Sequence, residues 1–396
     1  MRKKVVLAFS GGLDTSFCAK YLSEKKGYEV YTALANTGGF TEAECKAIEE
    51  KAYKLGAAGH ASLNIEEEYY EKSIRYMVFG NILRGGTYPI SVSSERIFQA
   101  LAVIRYAKEI GAHAVAHGST GAGNDQVRFD LTFHVLAPHI EIITPTRDMN
   151  LSREYEINYL KEHGYEADFR KMEYSINKGL WGTSVGGKET LHSNQTLPGD
   201  AYPSQLTAKE PEESLTIDFL RGEIAGVNGQ AMRPVDAIRR VEALGSRYAI
   251  GRDMHIGDTI IGIKGRVGFE AAGSLLIIHA HKALEKHTLT KWQQYWKDQI
   301  GNWYGMFLHE AQYLDPVMRD MEAFLQSTQQ YVTGRVLLTL RPYGYTLVGI
   351  ESEHDLMKSD FGIYGEEQKA WTADDVKGFT HILANQMKIY YNVNKE

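Results

Sequence analysis

The chain has 396 residues, of which 43% are hydrophobic and 24% charged, and its formal net charge is −6. This composition is that of a globular protein long enough for two or three domains, and it excludes the disordered and fibrous classes. The acidic balance and the absence of a Lys/Arg block disfavour nucleic-acid binding. Cys18 and Cys45 form neither a C-x-x-C pair nor a metal-ligand spacing, so no metal site is predicted and a cytoplasmic location is expected.

The N-terminal part of the chain alternates between strand and helix patterns. The predicted strands are 4–9, 28–35, 58–63, 112–117 and 140–143, and the predicted helices are 14–25, 41–55, 66–79, 94–110, 125–137 and 152–163. Repeated βα units of this length indicate a parallel sheet covered by helices, with ligands at the carboxyl ends of the strands. We therefore expect an α/β domain here.

Turn residues between Trp181 and Pro211 indicate a domain boundary near Lys171. The segments predicted beyond it are strands 214–221 and 223–231, helices 234–245, 272–286, 290–301 and 306–327, and a hairpin of strands 331–341 and 344–351. This pattern is typical of an α+β domain. An amphipathic helix over 373–391 then packs on its own domain or clasps another subunit. The predicted domains are 1–170, 171–365 and 366–396.

Residues 10–16, Ser-Gly-Gly-Leu-Asp-Thr-Ser, lie between a predicted buried strand and a helix. Glycines allow the backbone to turn tightly and approach a ligand, and the free N–H groups of the helix start attract anions. A P-loop requires a lysine after its glycines, and none follows here. The segment instead resembles the signature of the N-type ATP pyrophosphatases, in which it holds the pyrophosphate part of ATP. The alternative interpretation is a glycine turn with a connecting role only.

A second glycine loop spans 116–129 and reads Ala-His-Gly-Ser-Thr-Gly-Ala-Gly-Asn-Asp-Gln-Val-Arg-Phe. Its glycines alone are weak evidence, because a structural turn explains them equally well. The cluster of Asn124, Asp125 and Arg128 at the helix start could recognise an amino acid, the Asp taking its ammonium and the Arg its carboxylate or ureido group. His117 in the same loop is either a packing residue or a donor to phosphate.

A third segment, 174–182, begins with Tyr-Ser-Ile and ends with Leu-Trp-Gly. The two loops and this segment occur in the order found in the argininosuccinate synthase family. The chain resembles that family over nearly its whole length. The resemblance implies an adenine nucleotide α-hydrolase-like N-terminal domain, an α+β synthetase domain and a C-terminal oligomerisation helix in a homotetramer. It also implies an ATP-dependent ligase of arginine biosynthesis, which uses Mg²⁺ and condenses citrulline with aspartate to argininosuccinate, releasing AMP and pyrophosphate.

The resemblance also implies the site residues. The ATP contacts would be Ala8, Ser10, Gly11, Gly12, Leu13, Asp14, Thr15, Ser16, Ala35 and Gly118. The aspartate contacts would be Thr120, Asn124 and Asp125, and the citrulline contacts Tyr88, Ser93, Asn124, Arg128, Ser175 and Ser184. Because the ureido oxygen attacks the α-phosphate and the aspartate amine then expels AMP, catalysis requires positioning and charge neutralisation but no nucleophilic side chain. The candidate catalytic residues are Asp14, for the phosphate loop or the metal, with Asp125 and Arg128.

Four positions depart from the family pattern. Most members carry a Glu that helps bind citrulline where this chain reads Ile256-Gly257-Asp258, and a family Tyr is replaced by Phe269. Positions 35–36 read Ala-Asn where Ala-Asp is usual, and 94–96 read Ser-Glu-Arg where Leu-Ala-Arg is usual. One hypothesis is that the chain acts on an N-acylated citrulline, whose α-amine carries no charge. The alternative is that Asp258 or Glu270 binds the ammonium instead.

Two other functions share part of the pattern. A tRNA-modifying ATP pyrophosphatase would usually require catalytic cysteines and a basic surface, and the sequence shows neither. A nucleotide-binding regulatory module would lack a second substrate site, whereas the cluster at 124–128 indicates one. The ligase is therefore the main prediction.

Overall fold

The computed structural model describes residues 2–165, 174–362, 364–365 and 370–395. It divides into two compact units, Met1–Glu353 and His354–Glu396. The domain limits predicted at residues 170, 171 and 366 fall outside the described residues, so they stay predictions. None of the helices in the described ranges is both long and apolar enough to cross a membrane.

The first unit contains a parallel five-stranded sheet. Its strands are β1 Lys4–Ala8, β2 Glu29–Asn36, β3 Gly59–Asn64, β4 Ala114–Ala116 and β5 Glu141–Ile143. The strand order is β3-β2-β1-β4-β5, and all four pairings are parallel, as predicted. The apolar run of β1 is fully buried because helices cover both faces of the sheet. The order reverses beside β1, so the chain after β1 and the chain after β4 lead to helices on opposite faces of the sheet, the position at which sheets of this kind bind ligands.

Eight helical segments accompany this sheet. They are α1 Leu13–Glu24, α2 Glu42–Lys54, α3 Glu66–Tyr69, α4 Arg75–Phe79, α5 Ser91–Glu109, α6 Asp125–Leu136, α7 Pro145–Asp148 and α8 Arg153–Glu162. The helix predicted over 66–79 is interrupted by a π turn at Tyr70–Ile74, which separates α3 from α4. Helix α5 begins three residues before the predicted start, because Ile90 takes a left-handed conformation (φ 48°) and ends the preceding turn. Ser93 therefore lies in the first turn of α5.

From residue 174 onward, the described part of the first unit contains two antiparallel sheets and four α-helices. The strands are β6 Ser175–Gly179, β7 Gly182–Gly186, β8 Glu213–Leu220, β9 Glu223–Val227, β10 Gln230–Ala231, β11 Arg252–Asp258, β12 Lys264–Glu270, β13 Gly334–Arg341 and β14 Gly344–Glu351. The helices are α9 Pro234–Ser246, α10 Ala272–Thr288, α11 Lys291–His309 and α12 Val317–Thr328. The sheet orders are β10-β9-β8-β13-β14 and β11-β12-β7-β6.

Several boundaries differ from the prediction in this part. The start of the turn-rich stretch contains β7, which forms a hairpin with β6 just before it, and the many glycines of this hairpin hid the strand pattern. The predicted strand 223–231 is interrupted by Asn228 and Gly229, both at positive φ, and becomes β9 and β10. The helices predicted over 290–301 and 306–327 were wrong, since α11 continues through Gly301. A Cβ there would lie 2.6 Å from the carbonyl oxygen of Gly80, so this glycine serves close packing and does not end the helix.

The second unit contains two helices, α13 Ala373–Leu383 and α14 Asn385–Val393. The single helix predicted over 373–391 was therefore wrong, although its two parts are helical. Ala384 separates them with a ψ of −12°, and Asn385, which follows it, has a low helix propensity.

Candidate active site

A cleft of about 900 Å³ lies at the carboxyl ends of β1 and β4 and extends to the sheet that contains β6, β7, β11 and β12. Sixteen of the predicted site residues line it: Ala8, Ser10, Gly12, Leu13, Asp14, Thr15, Ala35, Tyr88, Ser93, Gly118, Thr120, Asn124, Asp125, Arg128, Ser175 and Ser184. The structure thus brings together residues that lie up to 176 positions apart in the chain, from Ala8 to Ser184. Gly11 and Ser16 are the predicted residues that do not line the cleft.

Gly11 and Ser16 take part in hydrogen bonds that stabilise the first loop. Gly11 has a φ of +73°, and its carbonyl oxygen accepts a hydrogen bond from the Lys51 Nζ atom at 2.5 Å. The Ser16 hydroxyl, almost fully buried, donates to the carbonyl oxygen of Gly12 at 2.6 Å. No lysine follows the glycines in the sequence, but Lys51 of α2 contacts the loop in the structure. The spacing of residues in the sequence does not reveal this contact.

Gly118 marks where the two loops meet. A Cβ atom at this position would lie 3.0 Å from the carbonyl carbon of Asp14 and 3.1 Å from the backbone nitrogen of Thr15. Both distances are to backbone, which cannot move aside without changing the phosphate loop. The close contact of the loops therefore requires glycine at position 118.

Both ring nitrogens of His117 form hydrogen bonds. Its Nδ1 atom accepts a hydrogen bond from the Ser119 backbone N–H at 3.3 Å, so its Nε2–H donates to Asp130 Oδ1 at 2.9 Å. Burial alone would raise the pKa of Asp130, but His117 and Arg147 lower it below its ordinary value. The ring also stacks on Phe129 with 5.3 Å between centroids. These contacts favour a packing role, in which His117 orients the second loop, over donation to phosphate.

Asp125 lies between two guanidinium groups. Arg96 Nε contacts Asp125 Oδ2 at 3.0 Å, and Arg128 Nη1 contacts Asp125 Oδ1 at 2.9 Å. Burial alone would raise the pKa of Asp125, yet Arg96 and Arg128 lower it, so the carboxylate stays ionised. Arg96 was missed as a site residue, although it lies three positions after Ser93 and hence on the same face of α5.

Arg128 and Asn124 connect the second loop to distant parts of the chain. The Arg128 side chain, 3% exposed, donates from Nε and Nη2 to the carbonyl oxygen of His309 at 3.2 and 3.0 Å. The Asn124 side-chain oxygen accepts a hydrogen bond from the Ile260 N–H at 2.9 Å, in the turn between β11 and β12. Both predicted substrate contacts therefore also fix the walls of the cleft.

The other predicted citrulline contacts lie in the turn before α5, in α5 itself and in β6 and β7. Asn177 on β6 accepts from Arg96 Nη2 at 2.8 Å and lies 3.5 Å from the Ser184 hydroxyl, which places Ser184 near the Arg96–Asp125 pair. Tyr88 is buried, and its ring lies 5.3 Å from those of His255 and Phe269. The turn before Tyr88, with Gly85 and Gly86 at positive φ, brings this ring into the cleft wall.

The departures from the family pattern have different surroundings. Glu270 pairs with Arg252 at 2.9 Å and does not line the cleft, whereas Asp258 lines it and pairs with Lys264 at 2.6 Å. Of the two acids considered for binding an ammonium, only Asp258 thus reaches the cleft. Asn36 closes the loop after β2 by accepting from the N–H groups of Gly38 and Phe40.

Comparison with known proteins identifies the family. Residues 4–166 match the arginosuccinate synthase N-terminal HUP domain, and residues 174–390 match the arginosuccinate synthase C-terminal domain. The chain belongs to the argininosuccinate synthase family. It is 38% identical to the argininosuccinate synthase of Methanocaldococcus jannaschii over 93% of both chains, and 35% identical to that of Xanthomonas campestris pv. campestris over 99% of both. The argininosuccinate synthase of Pyrococcus furiosus is 33% identical over 98% of this chain and 95% of its own.

Membership confirms the main predictions. The α/β fold with its nucleotide-binding N-terminal part is that of the family, and the chain is a ligase. The family condenses citrulline and aspartate in arginine biosynthesis and uses ATP as a substrate. The comparisons do not favour the tRNA-modifying or the N-acylcitrulline alternative.

Proposed function

We propose that this chain joins citrulline to aspartate through a citrullyl-AMP intermediate in the cleft described above. The observation that carries the proposal is that one cleft contains the phosphate loop 10–16, the loop 118–128 and the serines of β6 and β7. An enzyme that activates one amino acid with ATP and adds another requires three adjacent subsites of this kind.

The phosphate end of the cleft suits the pyrophosphate part of ATP. The helix start of α1 offers free backbone N–H groups, and small residues at positions 8, 35 and 118 leave room for the nucleoside. Asp14 lines this end and offers a carboxylate oxygen, the kind of ligand Mg²⁺ takes, with phosphate oxygens and water completing its shell. Bound Mg²⁺ would neutralise phosphate charge, and Asp14 would hold it.

The chemistry proceeds in two displacements. The citrulline ureido oxygen forms a bond to the α-phosphorus while the bond to the bridging oxygen breaks and pyrophosphate leaves. The aspartate amine, after losing a proton, then attacks the ureido carbon, and the carbon–oxygen bond to AMP breaks. Arg128 orients the ureido group, and Asp125, kept ionised by Arg96 and Arg128, attracts the aspartate ammonium with help from Thr120 and Asn124.

The assembly and location belong to the same proposal. Along α13 and α14 the apolar residues of the predicted face are exposed: Val376, Phe379, Ile382, Leu383, Met387 and Tyr390. An apolar face of this kind is typical of a subunit interface. We propose a homotetramer that works in the cytoplasm.

The experiment that tests the function measures AMP and pyrophosphate with ATP, Mg²⁺, citrulline and aspartate, omitting each in turn. We expect equal amounts of both products and no steady-state turnover without either amino acid. Positional isotope exchange in ATP is expected with citrulline alone, because the intermediate forms before aspartate reacts. Pyrophosphate release that does not depend on aspartate would contradict the proposal.

A further inference from the structure

The wall around Gly257 contains positive and hydrogen-bond-donating groups. A Cβ at position 257 would lie 2.8 Å from His255 Nε2 and 3.6 Å from Arg84 Nε. The space next to this glycine is therefore taken up by an imidazole and a guanidinium, and all three residues line the cleft. At this position most family members carry a carboxylate, so the chain differs from them in the charge it presents to the substrate.

A second imidazole faces the same end of the cleft. His309 lines the cleft and is 6% exposed, and neither of its ring nitrogens has a hydrogen-bond partner among the described residues. Burial, together with the nearby Arg128 and Arg84, lowers its pKa to about 2, so the ring is neutral and carries one N–H donor. A buried donor without a partner is costly, and a ligand that accepts its hydrogen bond removes that cost.

The acids that line this end already have cationic partners. Asp125 pairs with Arg96 and Arg128, and Asp258 pairs with Lys264. Arg84 contacts Asp258 only through the backbone, where Nη2 donates to the carbonyl oxygen at 3.1 Å. Arg84 thus forms no ion pair with a carboxylate among the described residues, although it lies near enough to Asp258 to help Lys264 lower the pKa of that carboxyl. An anionic group of the substrate would complete this site.

We propose that Arg84, His255 and His309 form a carboxylate-binding subsite for the ureido substrate. Arg84 supplies the charge, His255 and His309 supply neutral donors, and Tyr88 holds the His255 ring by stacking. The proposal rests on the proposed function. The carboxylate comes from one of two sources, the α-carboxylate of citrulline or the distal carboxylate of a dicarboxylic acyl group on its amine.

A charge-sign experiment tests the subsite. Gly257→Glu places a carboxylate beside Arg84, and Gly257→Ala places only the Cβ there and controls for displacement of His255. We expect Gly257→Glu to raise KM for the ureido substrate about 10-fold or more over Gly257→Ala, since a charged hydrogen bond is lost. KM for ATP is expected to stay the same in both. A lower KM for citrulline in Gly257→Glu would show that the site binds the ammonium and would overturn the proposal.

A substrate series identifies the source of the carboxylate. Citrulline, its α-carboxamide, N-acetylcitrulline and N-succinylcitrulline are compared in wild type, Arg84→Gln and the control Arg105→Gln, which changes an exposed arginine paired with Glu68. If the α-carboxylate binds, wild type prefers citrulline to its amide about 10-fold or more. If an acyl carboxylate binds, N-succinylcitrulline is preferred to N-acetylcitrulline. Arg84→Gln removes the preference in either case, and Arg105→Gln keeps it.

Calorimetric binding of the four compounds separates the two proposals. Absence of turnover with every compound would contradict the proposed function, while the binding preferences would still support or overturn the subsite. Equal binding of citrulline and its amide, together with equal binding of the two acyl forms, would overturn it. Unfolding temperatures of the variants with ATP confirm that each is folded.

Discussion

Arg128 donates two hydrogen bonds from its guanidinium to the backbone carbonyl oxygen of His309, 181 residues further along the chain. The same side chain pairs with Asp125, so one buried group links the substrate loop of the first sheet to the end of α11. Because His309 lines the cleft, this link also fixes the wall of the proposed carboxylate subsite.

We expect Arg128→Lys to lower kcat/KM for citrulline by about 10- to 100-fold, because an ammonium cannot reproduce the planar fork that contacts Asp125 and His309. Arg128→Ala is expected to lower the free energy of unfolding by about 3–5 kcal/mol, since it leaves a buried pair without one partner. Steady-state kinetics and urea unfolding measure the two effects. Arg105→Lys, on the surface, is the control, and equal behaviour of both lysine variants would contradict this role.

We expect Gly118→Ala to raise KM for ATP about 10-fold or more, because the new Cβ would press on the backbone of Asp14 and Thr15 and move the phosphate loop. Gly121→Ala in the same loop is the matched control, since its Cβ would meet only the Arg147 side chain at 3.7 Å. ATP titration of both variants measures the difference. Equal ATP affinities would show that the contact between the loops is not needed for nucleotide binding.

We expect the titration of Glu95 to make the free energy of unfolding depend on pH. The Glu95 carboxylate is fully buried, and this burial raises its pKa from 4.5 to about 8, although the neighbouring Arg96 and Thr37 act in the opposite direction. The folded state therefore keeps a proton that the unfolded state loses. The contribution of Glu95 to stability is fully present below pH 4.5 and is lost as the pH rises to about 8, at up to about 1.4 kcal/mol per pH unit.

Glu95→Gln removes this titration. We expect the free energy of unfolding of the variant, relative to wild type, to increase between pH 5 and pH 8. Urea unfolding at pH 5, 6.5 and 8 measures the difference, and Glu109→Gln, which changes an exposed carboxylate, is the control. A difference between Glu95→Gln and wild type that does not change with pH would contradict the shifted pKa.

We expect removal of residues 373–396 to convert the proposed tetramer into smaller species, because α13 and α14 carry the exposed apolar face. Phe379→Ser with Ile382→Ser is expected to weaken assembly in the full chain, whereas Asp374→Ser, on a side chain 89% exposed, is the control. Sedimentation velocity measures the assembly. An unchanged sedimentation coefficient in the truncated chain would refute the interface.

The fold could be predicted best where the hydrophobic pattern was regular. The βα units up to β5 alternate strands with helices, and β1, β2 and β4 are largely buried, so their order and the position of the first loop followed from the sequence. The hairpin β6–β7 could not be predicted, because its glycines resemble a turn region and because β7 is held in place by pairing with the distant strand β12. The end of α11 was also predicted wrongly. The prediction placed a helix end at Gly301, whereas this glycine allows close packing against Gly80.

Some of the residues that line the cleft could be predicted from the sequence, and others could not. The two glycine loops could be located because each follows a buried strand and opens a helix, and family resemblance placed the serines at 175 and 184. Lys51 and His309 were missed, because neither belongs to a local motif and each reaches the site from another element. Arg96 was also missed, although it lies on the same face of α5 as Ser93. The space next to Gly257 is occupied by the side chains of His255 and Arg84, and the contact with Arg84 could not be predicted from the residues that neighbour Gly257 in the sequence.

The sequence by itself determined the fold class, the positions of the two glycine loops and the family, because these depend on local periodicity and on short runs of residues. The tertiary structure decided which side chains share the cleft and what charge each end of it presents. Burial and distance set those properties, as for Asp125 between Arg96 and Arg128 or His309 beside Arg84. Both depend on contacts between residues far apart in the chain, which no local pattern encodes.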